Sequence, residues 1–225
     1  MKTTILISCL AVCIFNSCTK NNTDNTTPAA SAYLNTNAGS TWNYHTVDSS
    51  GATPANSDYT LTSGAQDTTI NSKKYHIYTI STGGYQYMNL SGTNYYQYDS
   101  VPVVGGGKVE RWYLQDNLAV NGTWSQTLSL SIPNSPLPIP LNITNTVIEK
   151  GISRMVNQVN YTNVIHISTS LSSSLIPAAS FITSIDSYYA PNYGLIESKT
   201  IIHLSFSGIT ENVNMNTQLM SADLK

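Results

Sequence analysis

From Tyr33 onward, apolar or aromatic residues alternate with polar ones in short segments, and no segment carries an apolar stripe at helical spacing. Alternation with a period of two is typical of strands that bury one face. Turn-forming residues separate the segments, as at Asn71-Ser72, Gly83-Gly84, Ser91-Gly92, Asn121-Gly122 and Asn192-Tyr193-Gly194. The pattern predicts an all-β chain of roughly ten to twelve strands in an antiparallel meander, with little helix.

Such a meander can form a curved sheet, an open half-barrel or a β-sandwich, and alternation alone does not distinguish these folds. No linker-like segment interrupts residues 33–225, so we expect a single all-β domain there. Two long connections stand out, a proline-rich segment at 133–140 and a serine-rich segment at 171–179. Prolines cannot donate hydrogen bonds to a sheet, so the first segment predicts an extended crossing.

Charge excludes several classes of protein. The 225 residues contain 12 acidic and 10 basic side chains, for a formal net charge of −2. Because these charges are few and scattered, the chain has neither the basic patch typical of nucleic-acid binding nor a basic membrane-surface patch. We therefore expect no nucleic-acid partner.

The N-terminal segment has the layout of a signal peptide. Lys2 precedes an apolar stretch, Ile5 to Phe15, that ends just before Cys18. As a helix, eleven residues would reach only about 16 Å, roughly half the thickness of a bilayer's hydrocarbon core. The stretch is therefore too short for a transmembrane span, and we interpret residues 1–17 as a signal peptide.

The segment Ser17-Cys18-Thr19-Lys20 resembles the precursors of bacterial lipoproteins of the Bacteroidetes type. The resemblance implies cleavage between Ser17 and Cys18, and attachment of diacylglycerol, with acyl chains such as palmitate, to the Cys18 thiol. Residues 18–32 would then be the lipidated cysteine and a flexible tether, because Thr19 to Ala32 contain no aliphatic residue larger than alanine. The implied location is the cell envelope, as an outer-membrane lipoprotein facing the periplasm or the cell surface.

The cysteine count agrees with this interpretation. Cys9 and Cys13 would leave with the signal peptide, and Cys18 would be consumed by lipidation. The mature chain would then have no disulfide, thiol nucleophile or cysteine-bound zinc.

Two motifs extend the resemblance to the body of the chain. Gly39-Ser40-Thr41-Trp42-Asn43-Tyr44 opens it, and Tyr188-Tyr189-Ala190-Pro191-Asn192-Tyr193-Gly194-Leu195 lies near its end. All-β lipoproteins of the Bacteroidetes type begin and end similarly. The resemblance implies a curved antiparallel sheet and brings no catalytic residues with it.

Candidate chemical groups do not form a recognisable motif. The four histidines, His45, His76, His166 and His203, lack the short spacings of a metal site. Asp99, Glu110 and Asp116 are the nearest carboxylate cluster, but Glu110 and Arg111 fit exposed charges on an edge strand better. No Gly-x-Ser-x-Gly elbow is present. We therefore expect no enzyme activity, metal or cofactor.

Aromatic residues between positions 85 and 113 form the remaining signal. Tyr85, Tyr87, Tyr96, Tyr98 and Trp112 could present a face to a carbohydrate or protein ligand, whereas alternation places Tyr95 on the opposite face. The first hypothesis is a binding or structural module that uses this face. The alternative is a half-barrel that carries or senses a lipid, and the third is a hydrolase with an unrecognised site.

Overall fold

The computed structural model describes residues 32–100, 108–130, 139–206 and 209–225. Residues 1–31, with the predicted signal peptide and Cys18, lie outside the described residues, as do the glycines at 105–107 and most of the proline-rich segment. The strands are β1 (Thr41–Asp48), β2 (Ala55–Ile70), β3 (Lys73–Ile80), β4 (Tyr85–Ser91), β5 (Asn94–Ser100), β6 (Lys108–Gln115), β7 (Thr123–Leu130), β8 (Ile139–Val156), β9 (Val159–Ser172), β10 (Phe181–Ala190), β11 (Gly194–Phe206) and β12 (Ile209–Asp223).

In the described ranges, these twelve strands and a single 3₁₀ turn, Ala178–Ser180, confirm the prediction of an all-β chain with little helix. The 3₁₀ turn lies in the serine-rich connection between β9 and β10. Within the described ranges, no helix has the length and apolar character needed to cross a bilayer.

All twelve strands belong to one sheet, in the order β6-β5-β4-β3-β2-β1-β12-β11-β10-β9-β8-β7. Every pairing is antiparallel, and the pairing of β1 with β12 joins the first and last strands. The two edges, β6 and β7, are consecutive in sequence and meet through side chains. The sheet is thus nearly closed and barrel-shaped, which confirms the curved meander and excludes the β-sandwich.

The turns form where the sequence predicts them. Asn71 and Ser72 have φ angles of 50° and 64° between β2 and β3, and Asn121 has a φ of 68° before β7. Asparagine and glycine tolerate this left-handed region better than other residues. Local turn chemistry therefore accounts for the up-and-down course of the chain.

Consecutive connections lie at opposite ends of the sheet. We call the end with the β2–β3, β4–β5, β6–β7, β8–β9 and β10–β11 connections the lower end, and the other the upper end. One hydrophobic cluster lies toward the upper end and includes Leu128, Phe181 and Leu204. Two clusters lie toward the lower end, one around Trp42 and Leu219 and one around Leu114 and Ile165.

The segment that precedes β1 closes the lower end. The Tyr33 ring is only 9% exposed, and its hydroxyl donates to the Asn163 carbonyl at 2.7 Å. The Tyr33 N–H donates to the Tyr95 hydroxyl, and the Tyr78 hydroxyl donates to the Asn35 carbonyl at 2.6 Å. These bonds attach residues 33–35 to the inner wall of the sheet.

Candidate functional site

A cavity of about 470 Å³ lies inside the sheet, between the upper and lower hydrophobic clusters. Side chains from β2, β4–β6 and β8–β12 line it, so its wall includes most of the sheet. Ligand-binding cavities in proteins typically measure about 300–1,000 Å³. The cavity is therefore large enough for a small molecule.

On each of β8 to β12, the inner side chains are aliphatic near the upper end, polar in the middle and apolar again near the lower end. On β11, for example, aliphatic Ile202 is followed by Thr200 and Ser198 and then by Ile196. The same order gives the cavity an aliphatic upper wall, formed by Leu141, Ile143, Leu171, Ile185, Ile202, Val213 and Met215. Below this wall lies a polar belt, formed by Asn145, Thr169, Ser187, Ser198, Thr200 and Thr217.

Members of the polar belt hydrogen-bond across neighbouring strands, either to one another or, for Thr217, to Thr46 on the inner face of β1. The pairs are Thr46–Thr217 at 2.9 Å, Ser187–Ser198 at 3.2 Å and Thr169–Asn145 at 2.6 Å. Pairing reduces the cost of placing polar groups inside a protein. The belt hydroxyls can also accept hydrogen bonds from a ligand, because each oxygen has two lone pairs.

Aromatic rings form the floor of the cavity. Tyr59, Tyr113 and Tyr189 line both this cavity and a smaller space of about 80 Å³ beneath it. Burial raises the pKa of Tyr59 to about 12 and that of Tyr189 to about 12, although the Ser187 hydroxyl and the Arg111 charge lower the latter. The Tyr59 and Tyr189 hydroxyls therefore stay protonated near neutral pH.

Side chains close the seam between β6 and β7. The Gln126 amide accepts the Trp112 N–H at 2.9 Å and donates to the Glu110 carbonyl at 2.6 Å. Trp124 Nε1 donates to the Trp112 carbonyl at 3.0 Å. In the described ranges no backbone ladder joins these strands, so Gln126 takes the place of a peptide group from a neighbouring strand.

Two charged side chains, Arg111 and Asp99, line the cavity. The expectation that Arg111 is an exposed edge charge is wrong, because β6 is curled against β7 and directs this side chain inward. Gln97 is its cross-strand partner on β5, and the Gln97 amide donates to Asp99 at 3.2 Å.

The chain shares its fold with a candidate lipoprotein. The structural match is to a crystal structure of that protein from Parabacteroides distasonis, with 12% sequence identity and a TM-score of 0.50. The match covers 86% of this chain and 99% of the other. No protein-family model and no curated protein sequence matches the chain. The resemblance of the body to all-β lipoproteins of Bacteroidetes is thus confirmed at the level of the fold.

Of the five aromatic residues predicted as a ligand face, Tyr85, Tyr87, Tyr96 and Tyr98 lie together on the outside of β4 and β5. Trp112 on β6 stacks on Tyr96, but it also lines the cavity and packs against Trp124. Cross-strand pairing aligns Tyr87 with Tyr98 and Tyr96 with Trp112, with ring centroids 6.4 Å and 5.9 Å apart. Tyr85 is 53% exposed, and its ring lies 6.3 Å from that of Tyr87. A ligand at this face remains a prediction.

Charged side chains cover part of this outer aromatic face. Lys73 Nζ lies 3.6 Å above the Tyr96 ring and forms a 2.8 Å ion pair with Glu110, which also accepts a hydrogen bond from Tyr75. As alternation predicts, Tyr95 is on the opposite face, where it is 1% exposed and donates to Asp116. The Tyr96 and Trp112 rings are stacked, whereas the Tyr87 ring is inclined by 39° to that of Tyr85 and by 66° to that of Tyr98, so the rings do not form one flat platform.

One histidine lies in a serine–histidine–aspartate arrangement that the sequence did not reveal. His76 Nε2 is 2.8 Å from Ser63 Oγ, and Nδ1 is 2.8 Å from Asp67 Oδ1. These are the contacts of a catalytic triad, but Ser63 is only 2% exposed and does not line the cavity inside the sheet, although Asp67 and His76 line an open groove on the other side of β2 and β3. The three residues join β2 to β3.

The other candidate groups do not converge. His166 lies between Glu149 and Asp186, His45 pairs with exposed Asp58, and His203 is exposed. Asp99 faces the cavity, whereas Glu110 faces outward and Asp116 lies beyond the end of β6. In the part of the chain that the structure describes, no group of three or more His, Cys, Asp or Glu residues is arranged to hold a metal ion.

The sequence did not reveal Gln97, Asp99 and Arg111 as cavity residues, because each is adjacent to an aromatic residue of the predicted outer ligand face. Gln97 and Asp99 alternate with Tyr96 and Tyr98, and Arg111 stands beside Trp112. Alternation from buried Tyr95 would have directed Gln97 and Asp99 inward. No sequence signal, however, shows that a space remains between them and the opposite wall.

Proposed function

We propose that this protein is a lipid-anchored protein of the bacterial cell envelope that binds a small, mainly apolar molecule inside its sheet. The observation that carries this proposal is the cavity of about 470 Å³, which has an aliphatic upper wall and a polar belt. Each methylene of a ligand buried there would contribute about 0.8 kcal/mol. The belt would orient the polar end of the ligand. Binding without catalysis fits this site, since the Ser63 hydroxyl is buried away from the cavity.

The anchor rests on the Ser17-Cys18 segment, which lies outside the described residues. Asn192 N–H donates to the Ala32 carbonyl at 2.8 Å, so the predicted tether joins the body at its lower end. Two or three acyl chains on Cys18 would hold the protein at a membrane almost irreversibly. We place it at the outer membrane, facing the periplasm or the cell surface.

Dye binding tests the cavity. We expect the purified protein to increase the fluorescence of the uncharged dye N-phenylnaphthylamine, and Thr200→Trp to reduce the increase because the indole occupies part of the cavity. The matched control is Lys199→Trp, at the exposed neighbouring position on the outer face of β11. Circular dichroism would check that both variants fold. A dye signal that Thr200→Trp leaves intact, or no signal from the wild type, would refute the proposal.

Cell fractionation tests the anchor separately. Wild-type protein expressed in a Bacteroidetes host should partition into the detergent phase, and Cys18→Ala should leave an uncleaved or soluble chain. Cys13→Ala is the control, because that residue would leave with the signal peptide. Unchanged partitioning of Cys18→Ala would show that no anchor forms there.

The outer aromatic face supports a second candidate function, the binding of a carbohydrate or protein ligand. The observation that favours it is that Tyr85, Tyr87, Tyr96 and Tyr98 lie on one face although they come from two strands, with Trp112 stacked on Tyr96. A glycan array tests it: we expect Tyr87→Ala to reduce binding and Thr144→Ala, on β8, to leave it unchanged. An array without signal, or equal binding by Tyr87→Ala, would argue against this function.

A further inference from the structure

We infer that the cavity takes an amphiphile with a carboxylate head group, and that Arg111 is the residue that binds this group. The inference rests on the proposed function, since it names the chemical class of the ligand at the same site. Three observations lead to it: the placement of Arg111, its buried Nε without a partner among the described residues, and the surrounding wall.

Arg111 lies on the inner face of β6 and lines the cavity. Within the described ranges no hydrogen bond or ion pair joins its guanidinium to another residue, and its Nε atom is buried without a partner. Its charge also reaches the cavity floor, because it opposes the rise that burial causes in the pKa of Tyr189. The guanidinium is thus a half-buried cation that lines the cavity, and its buried Nε has no partner among the described residues.

An unpaired charge inside a protein is costly, and an anion that hydrogen-bonds to it removes much of that cost. A guanidinium presents N–H donors in a planar fork that matches the two oxygens of a carboxylate. The polar belt cannot supply this anion, since its threonine, serine and asparagine side chains are uncharged. Asp99 lines the same cavity but forms no ion pair with Arg111 in the described residues, so we assign the partner role to an anionic group of the ligand.

Asp99 is the second charged side chain of the cavity wall, and removing its charge should affect carboxylate binding in the opposite direction to removing that of Arg111. It lines the same cavity and accepts a hydrogen bond from Gln97, which is the cross-strand partner of Arg111. Its negative charge would repel a bound carboxylate at close range. If the ligand is anionic, removing the Asp99 charge should therefore strengthen binding, and removing the Arg111 charge should weaken it.

The remaining wall suits a hydrocarbon tail. Ile185, Ile202 and Val213 lie on three neighbouring strands and form part of the aliphatic upper wall. A head group at Arg111 would leave the tail against this wall. A fatty acid has both parts, and its methyl ester has the same tail without the charge.

Competition against the uncharged dye tests the inference with cis-parinaric acid and its methyl ester as probes. We expect the wild type to prefer the acid over the ester, and Arg111→Met to weaken acid binding by about ten- to hundredfold, as loss of a charge-assisted hydrogen-bonded pair implies. Dye and ester binding should change less than about twofold, because methionine retains an apolar stem of similar length. Asp99→Asn should strengthen acid binding.

The control variant is Lys199→Met, which removes a cation from the outer face of β11 and should change no affinity. If the wild type binds the dye but holds acid and ester equally, the inference fails while the proposed function stands. If it binds neither dye nor probe, the proposed function itself fails. If Arg111→Met weakens the acid, ester and dye alike, Arg111 acts through the shape of the cavity, and the inference is wrong.

Discussion

Two partly buried histidines of this protein find their partners on the same sheet. His76 bridges Ser63 and Asp67, and His166 bridges Glu149 and Asp186 while stacking on Tyr188 at a centroid distance of 4.2 Å. A buried polar group without a partner costs about 1–3 kcal/mol. The main effect of these contacts is therefore to avoid that penalty, since the net gain from each hydrogen bond is smaller. Within the described ranges Arg111 Nε is buried without such a partner, as are Trp42 Nε1, Asn89 Oδ1, Asn94 Oδ1 and Trp112 Nε1.

At the residue scale, Asp67→Asn should make stability less dependent on pH. Hydrogen bonds from Lys74 and His76 hold the pKa of Asp67 below its ordinary value of 3.8, so its contribution is present above that value and lost as pH falls through the lower, folded-state pKa. The side chain is 34% exposed, and solvent screening limits the loss at neutral pH to about 1 kcal/mol or less.

Urea unfolding at neutral and strongly acidic pH would measure this change. The wild type and Asp67→Asn should differ at neutral pH and converge in acid. The control is Asp58→Asn, whose side chain is 81% exposed beside His45 and should matter less. A difference that stays constant with pH would contradict the assignment.

At the element scale, two irregularities shape the sheet. One is the seam, where Gln126 replaces a backbone ladder between β6 and β7. The other is a bulge in β2, where the register with β3 shifts between Ser63 and Asp67. Bulges bend and twist a strand, and here the bend lies beside the segment that closes the lower end.

Gln126→Leu should loosen the seam, because it leaves the Trp112 N–H and the Glu110 carbonyl without their partner. We expect a loss of about 1–3 kcal/mol in unfolding free energy and faster amide hydrogen exchange at Trp112. Ser125→Ala is the control, since its hydroxyl makes only an exposed 3.3 Å contact with Thr144. Unchanged exchange at Trp112 would show that the seam does not depend on Gln126.

Gly64→Ala should strain the bulge. A Cβ atom at Gly64 would lie 2.9 Å from the Ile77 carbonyl oxygen, which is backbone and cannot easily move away. Overpacking of this kind costs about 1–3 kcal/mol. At Gly51 the nearest atom would be 3.8 Å away, so Gly51→Ala should change stability by less than about 0.5 kcal/mol. Thermal unfolding of both variants checks this, and equal melting temperatures would contradict it.

At the scale of the whole molecule, the sheet needs additional parts to enclose a cavity. Its upper end is filled by the cluster around Leu128 and Phe181, and its lower end by the two clusters that the segment before β1 completes. Tyr33 belongs to the second of these lower clusters. The cavity is the space between the upper cluster and the two lower clusters.

Tyr33→Ala should therefore destabilise the whole domain. It removes a buried ring and the hydrogen bond to the Asn163 carbonyl, and large-to-small changes of buried aromatics cost about 3–5 kcal/mol. The control is Tyr85→Ala, because that ring is 53% exposed and should cost less than about 0.5 kcal/mol. Urea unfolding would compare them, and equal midpoints would show that the segment before β1 is dispensable for the fold.

Much of the fold follows from the sequence because its causes are local. The alternation of Trp42, Tyr44 and Thr46 determines the inner face of β1, and Asn71-Ser72 and Asn192-Tyr193-Gly194 determine where strands reverse. The same alternation separated Tyr95 from Tyr96 and Tyr98 correctly. It could not show which strands form the edges, because β1 and β12 pair across nearly the whole chain.

The sequence by itself determined the strands, the turns, the antiparallel meander and the shared outer face of Tyr85, Tyr87, Tyr96 and Tyr98, since each depends on neighbours within a few positions. Only the tertiary structure decided that the meander forms one sheet that nearly closes, that Gln126 joins its edges and that a cavity remains inside. It also decided that Arg111, on the edge strand β6, lines that cavity and is not an exposed charge. The physical reason is that closure and cavity depend on the register and packing of strands far apart in sequence, which no local pattern encodes.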